Sequence, residues 1–346
     1  MLNEKREQDG TLYVFDKVIT KESLHGRMVT KLIVPNAVVI ENDAIYRCPH
    51  LKSIIAHKVK KIGDNIVEDC PSLIDVEAPL LKEQGIIYFG SLFVDLNEKK
   101  ILNLGDFDSK LIRVLNEELE QGEALQLFEK ADGTRILKLD GNEILKERNG
   151  KIVGICLPKT KILPAHCLYE NNSVEELVLL SAVKIDHNAI YKSKALQKVV
   201  APHVKSVRFS NFSRCPNLVE ALLPEMEVLE DSCFCFNDKF ASFKFDKLEN
   251  VAKNCFCQLP SVEVFCLKNA EFIGEGSLQG NDKMKVVLLP SLEEIERGVL
   301  YNSQPEYLYA PKTKERAVRI KYLKNAKQLI KGKDVLRPEY RGRIKE

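Results

Sequence analysis

The most reactive chemistry that residue types and spacing offer in this chain is a set of four thiols, Cys233-Phe-Cys235 and Cys255-Phe-Cys257. The two pairs lie 22 residues apart, and four thiolates brought side by side have the donor set of a structural zinc site. The spacing within each pair argues against that use, because zinc sites place more than one residue between neighbouring cysteines. Cys233 and Cys255 also fall on a point where sister stretches carry Ala44 and Ala189, so they read as small inward fillers beside Phe234 and Phe256. Cys167 shares that point; Cys48, Cys70 and Cys215 share another. A cysteine that exchanges with alanine, serine or asparagine is expected to be a reduced thiol in a cytosol-like compartment. The six histidines are His25, His50, His57, His166, His187 and His203, and no nucleophile elbow, phosphate loop or His-Glu-x-x-His accompanies them. Glu175-Glu176 and Glu293-Glu294 read as solvated faces, and Gly274-Glu-Gly276 as turn glycines. The expectation is therefore no catalytic residue, no cofactor and no metal, any enzymatic site having to sit in the segment 80–151.

The elements that would position such residues follow from a strict period. From Pro158, steps of 22 reach Leu180, Pro202, Pro224, Asp246, Lys268 and Pro290. Five residues past each lies an aliphatic: Leu163, Ile185, Val207, Leu229, Val251, Ile273, Ile295. Further rows run through Leu168, Ile190, Phe212 and Phe234, through Val174, Leu196, Leu218 and Phe240, and through Leu177, Val199, Ala221, Phe243, Phe265 and Val287. A period of this length means a solenoid, in which each unit buries its apolar edge against its neighbours. Within one unit, Leu196-Gln-Lys-Val-Val-Ala-Pro202 is β-branched and ended by proline, hence a strand. Val204–Val207 predicts a second short extended piece, and Asn211–Pro216 a turn.

The same ladder appears earlier, through Pro35, His57 and Pro79, Ile40 and Ile62, Leu51 and Leu73. Before it, residues 1–10 are charged and expected to fray, while Leu12–Phe15 and Val18-Ile19 predict short strands. The register fails between Pro79 and Pro158, which predicts an insert. There, strand-like runs flank Asn97-Glu-Lys-Lys100, Asp132-Gly133 and Asn149-Gly150, each a hairpin signal. Residues 111–127 read as a short helix with Leu111, Val114, Leu115 and Leu119 on one side and a stop near Gly122. These hairpins either continue the sheet or form a small lobe. At the other end, Thr313 is an expected N-cap, Ala317, Ile320, Leu323, Ala326 and Ile330 follow at helical spacing, and Gly332 is a stop, so a helix is expected to cover the last repeat. The residues after Gly332 read as loose.

The unit, written Leu-x-x-Ile-x-x-Pro-x-x-x-x-Ile-x-x-x-Ala-Phe-x-x-Cys-x-x, resembles the BspA-like leucine-rich repeat. Asn42–Leu51 and Ser210–Leu218 are close to that pattern, and the hairpins around Asn97 and Asn149 resemble interruptions common in the family. Asp246 and Lys268 depart from it by replacing the proline. The resemblance implies a β-rich (α/β) solenoid: a leucine-rich-repeat right-handed superhelix with stacked short strands, a hairpin insert and a C-terminal capping helix. The expected divisions are 1–28 as N-terminal cap, 29–79 as first repeat block, 80–151 as insert, 152–312 as second repeat block and 313–346 as basic capping helix and tail. It also implies protein binding, in adhesion or host interaction by bacteria and protists, or as an injected effector.

Formal net charge is +2 over 346 residues, which gives no global steering toward nucleic acid or membrane. No apolar run has the length of a spanning helix, and the charged start does not read as a secretory signal, so a cytoplasmic location, or delivery to a host cytosol, is expected. The expected partner is another protein, the chain itself being monomeric. Strand alternation places the candidate binding face. With Leu177, Val199 and Ala221 inward, the outward residues are Glu176, Val178, Lys198, Val200, Glu220, Leu222, Lys244, Cys266 and Leu288, an apolar stripe flanked by alternating charge. The alternative is that a bend breaks the alternation and the stripe packs inside. A second functional reading uses the basic segment from Ser303 onward, where 13 lysines and arginines face 5 acidic residues, for acidic-membrane or nucleic-acid contact.

Overall fold

A strand of three residues satisfies few of its own backbone groups, so each repeat must find hydrogen-bond partners in the turns on either side. The computed structural model of the protein, which describes residues 2–41, 43–63, 70, 72–73, 75–80, 86–89, 92–95, 100–103, 107–313 and 328–330, is built on that necessity. The chain divides into two units, Met1–Ile152 and Val153–Glu346. Both are β-solenoids of stacked parallel strands.

In the first unit, Thr11–Val14, Lys31–Ile33, Ser53–Ile55 and Asp75–Glu77 stack in parallel, with Leu12 opposite Leu32, Leu32 opposite Ile54 and Ile54 opposite Val76. Val18–Ile19, Val39–Ile40 and Lys61–Ile62 form a second short sheet. Leu12, Val14, Leu32, Val34, Ile40 and Ile54 close the core between them. The charged start is paired rather than frayed over Glu4–Arg6. Glu4–Arg6 pairs antiparallel with Leu12–Val14, and Arg6 donates to the Met28 carbonyl, so the charged start covers an otherwise open sheet edge.

The insert contributes three antiparallel strands, Ile86–Phe89, Leu92–Asp95 and Lys100–Asn103, then a helix. The helix, Ser109–Glu120, starts earlier and ends earlier than its apolar spacing suggests. The Asp108 carboxylate caps it by accepting from the Lys110 amide at 2.7 Å, and Leu111, Val114, Leu115 and Leu119 are its buried face. Leu125–Glu129 belongs to a strand, which pairs with Arg135–Leu139, itself paired with Asn142–Arg148. The turn between the last two is Asp140-Gly141, both at positive φ, a hairpin turn in addition to those expected at Asp132-Gly133 and Asn149-Gly150.

In the second unit, Lys151–Leu157, Glu176–Leu179, Lys198–Val200, Glu220–Leu222 and Ser242–Lys244 pair in parallel, each residue opposite the one 22 later. Val264–Cys266, Val286–Leu288, Tyr307–Tyr309 and Gln328–Ile330 continue this main sheet as a separate group. A second sheet runs along the other side from Ile162–Leu163 to Glu294–Ile295 without interruption. The connecting turns stack as well, Leu168 donating to Ala189 at 2.7 Å and Glu170 to Tyr191 at 2.8 Å. Each turn needs two left-handed residues to reverse direction. They recur at 22-residue spacing through His166, Asn188, Ser210, Ser232, Asn254, Gly276 and Gly298, and through Glu170, Lys192, Arg214, Phe236, Gln258, Gly280 and Asn302. Gly276 and Gly298 occupy the position that costs a side chain of L configuration about 1–2 kcal/mol.

Of the expected C-terminal helix, residues 314–327 lie outside the described residues. Its far end is a strand: Gln328–Ile330 pairs in parallel with Tyr307–Tyr309. The helical spacing of Ile330 is thus overridden by the open edge beside it, which offers backbone partners.

The position shared by Cys48, Cys70 and Cys215 has a defined task. Their thiols donate to the carbonyls of Leu24, Ile45 and Ile190 in the preceding turn, at 3.1, 3.1 and 3.3 Å. Ser193 does the same to Leu168, and Asn237 to Phe212. Asn281 is fully buried. It donates to Phe256 and Leu278 at 2.9 and 3.0 Å and accepts from the Leu259 amide at 2.6 Å. Asn281→Ala leaves an amide and a carbonyl of the neighbouring turn without a partner and is expected to cost about 2–4 kcal/mol in denaturant unfolding. A loss below about 1 kcal/mol would mean that the ladder stands without this side chain.

Candidate protein-binding face

The main sheet of the second unit has one face sealed against the core and one turned outward. Leu177, Val199, Ala221, Phe265 and Val287 point inward and are 0% exposed. Their neighbours Glu176 and Val178, Lys198 and Val200, and Glu220 and Leu222 are half-buried on the opposite face. The alternation therefore holds over these strands, and the parallel register aligns Val178, Val200 and Leu222 in one row. Beside that row, Lys198 Nζ lies 3.1 Å from Glu220 Oε2. A pair this exposed adds little stability, but it keeps both long side chains extended along the face.

Farther along, the stripe changes character. Lys244 is exposed and bonds Asp246 at 3.4 Å; Cys266 is half-buried. Leu288 is not part of an open surface: it is 0% exposed. It sits in register with Tyr309, and together with Val286 and Tyr309 it forms a small apolar cluster against which Val264, Cys266 and Tyr307 pack. Tyrosines on the adjoining strand wall off the aliphatic row, so both faces of Val286–Leu288 are buried. The outward surface thus consists of Glu176 to Leu222, with Lys244 and Cys266 at its end.

Three of the four thiols are engaged by backbone carbonyls of neighbouring turns. Cys233 donates to the Arg208 carbonyl at 3.3 Å, Cys255 to Glu230 at 3.2 Å and Cys235 to the Asn254 carbonyl. Burial pushes the Cys215 thiol up to about 12 and raises Cys233 and Cys255 as well, so these groups stay neutral near physiological pH. Among the described residues no cluster of three or more histidine, cysteine or acidic side chains could hold a metal ion. His57 and His203 face Glu77 and Glu225 at 2.7 and 3.7 Å on the surface. Glu293 and Glu294 are exposed. In the insert, the buried ion pair is Arg135 with Glu147 at 2.8 Å, directly opposite each other on adjacent strands, where it clamps the hairpin. Among the described residues no helix is long and apolar enough to cross a membrane. Of the basic segment considered for membrane or nucleic-acid contact, residues 314–327 and 331–346 lie outside the described residues.

These features meet their counterpart among known proteins in the repeat itself. The BspA type leucine rich repeat region, in 6 copies, matches residues 17–90, 161–285 and 205–319, well over half of the chain. The chain belongs to this family. Among solved structures it is similar to a leucine-rich repeat protein from Bacteroides ovatus, with 14% identity and a TM-score of 0.47 over 95% of this chain and 98% of that one. It is also similar to a leucine rich cell surface protein from Faecalibacterium prausnitzii, with 13% identity and a TM-score of 0.30 over 89% of this chain and 86% of that one. No curated protein matches the sequence.

The thiol assignments have a direct check. A thiol reagent applied to unfolded protein without reductant is expected to titrate all ten cysteines. Mass mapping of the native protein at pH 8 is expected to leave Cys215, Cys233 and Cys255 unlabelled. Fewer than ten thiols in the unfolded chain would mean a disulfide or a bound metal that this geometry does not contain.

Proposed function

We propose that this leucine-rich repeat protein is a non-enzymatic scaffold that binds another protein across the outward face of its second main sheet. The observation that carries the reading is the row Val178, Val200 and Leu222, apolar and half-buried on a face whose reverse side is fully sealed. The Lys198–Glu220 pair and Glu176 flank that row with alternating charge, which suits a polypeptide partner with charged groups at the rim and apolar groups at the centre. An even charge balance favours such a partner over a phosphate backbone or an acidic membrane. The ten cysteines are all unbridged, which supports a reducing compartment for this role. Family membership supports the same role, and a host-directed one for a bacterial or protist source.

Val200→Glu combined with Leu222→Glu tests the face. Both side chains are half-buried, so each substitution is expected to cost about 1 kcal/mol or less. Proteins retained by the wild type in a quantitative pull-down are expected to be lost from the double variant, which melts within a few degrees of the wild type. Retention of the same proteins by a folded double variant would move the interface elsewhere.

A further inference from the structure

The main sheet of the second unit is interrupted once among the described residues. Ser242–Lys244 closes one group of strands and Val264–Cys266 opens the next, and the two are not paired. One turn earlier the ladder is intact: the Ser242 amide donates to Val219 at 3.1 Å and the Leu223 amide to Lys244 at 3.0 Å. One turn later, the Val286 amide donates to Glu263 at 3.2 Å and the Leu267 amide to Leu288 at 3.1 Å. The equivalent donors at the interruption are the amides of Val264 and Phe245, and no bond joins them across it. The second sheet passes the same turn unbroken, Asn250–Val251 pairing with Phe272–Ile273. The chain is thus parted on one side only.

Aromatic volume accounts for the parting. Inward positions held by Val199, Ala201, Ala221 and Leu223 in neighbouring turns become Phe243 and Phe245. Phe243 stands 5.1 Å from Phe245 and 5.5 Å from Phe265 between ring centroids, and Phe245 stands 5.3 Å from Phe234. Phe243 meets Phe265 here, the one step of this inward row from Leu177 to Val287 that sets two rings against each other, and the added volume overpacks the core beneath the two strands. Phe243 is accordingly half-buried where its counterparts are sealed. The result is a groove of about 520 Å³ lined by Ser242, Phe243, Lys244, Val264, Cys266 and Lys268. Two of the groups beside it, Asp246 and Lys268, stand where other turns carry the repeat proline.

We infer that this groove binds an extended acidic peptide, which adds to the free edge of Ser242–Lys244 as an extra strand. A peptide main chain is the ligand whose alternating carbonyls and amides match an unpaired strand edge, beginning with the Phe245 amide and the Ala241 carbonyl. Lys244 and Lys268 supply the charge preference. Asp246 answers Lys244, whereas among the described residues Lys268 has no carboxylate partner. The Phe243 ring gives a peptide side chain an apolar floor. The inference shares with the scaffold reading only that the partner is a polypeptide, since the groove lies beyond the Val178–Leu222 row.

The experiment pans a phage-displayed library of random dodecapeptides against the full chain and follows the selected peptides, labelled, by fluorescence anisotropy and amide hydrogen exchange. In the free protein the Phe245 amide is expected to exchange much faster than that of Leu223 or Leu267, and bound peptide is expected to protect it. Selected peptides are expected to be rich in aspartate and glutamate, and Lys268→Glu to weaken them at least tenfold while Val200→Glu/Leu222→Glu leaves them unchanged. Phe243→Val/Phe245→Leu, which restores aliphatic residues, is expected to close the sheet and abolish binding. If that variant does not fold, the Lys268→Glu arm still decides. The inference is overturned if panning yields no binder, if the peptides protect another face, or if Lys268→Glu has no effect. Protection of Phe245 that rises with protein concentration and without peptide would assign the edge to a second copy and overturn it equally.

Discussion

Hydrogen bonding from one turn to the next is the constraint on which everything else in this protein rests. The strands are two to four residues long along most of the second unit, too short for any turn to stand alone. Each turn is satisfied by its neighbours through a main sheet, a second sheet and the stacked reversals between them. Because a carbonyl and an amide must face each other in every turn, the chain path per turn is fixed, and the sequence period follows. Rows of like side chains are a consequence: aliphatics fill the inside, buried asparagine, serine and cysteine tie one turn to the next, and surface ion pairs such as Lys205–Glu227 and Arg208–Glu230 repeat at the same step.

That step made most of the second unit readable in advance. Leu163, Ile185, Val207 and Leu229 recur because one inward slot recurs, and Val178, Val200 and Leu222 fall outward because no bend breaks the alternation of these strands. Other features were hidden for identifiable reasons. Leu288 belongs to the same row, but the next strand sits 21 residues on rather than 22 and brings Tyr307 and Tyr309 alongside. The parting at Phe243 leaves the apolar pattern intact: phenylalanine satisfies a polarity pattern at any inward position, and only volume betrays the conflict. Asp246 and Lys268 at the proline position were the one visible trace. At both ends, edge strands formed where charge or helical spacing pointed elsewhere, because an open sheet edge is a stronger demand than local propensity.

The same register links architecture to binding. Stacking turns a single apolar residue per repeat into a continuous row, so the breadth of the outward face is set by the number of turns rather than by any one residue. Several cysteines take part in the ladder as donors, and burial raises the thiol pKa of Cys215, Cys233 and Cys255, which keeps these three neutral.

Deletion of one whole turn measures this account most directly. Removing residues 198–219 brings Leu177 next to Ala221 in the register that Leu177 and Val199 now share, whereas removing 198–208, half a turn, sets the turn residues Phe209, Ser210 and Asn211 against the main sheet. Thermal melting followed by circular dichroism is expected to give a cooperative, β-rich transition for the 22-residue deletion and none for the 11-residue one. Equal melting of the two deletions, or loss of structure in both, would contradict the claim that turn-to-turn pairing at this period holds the protein together.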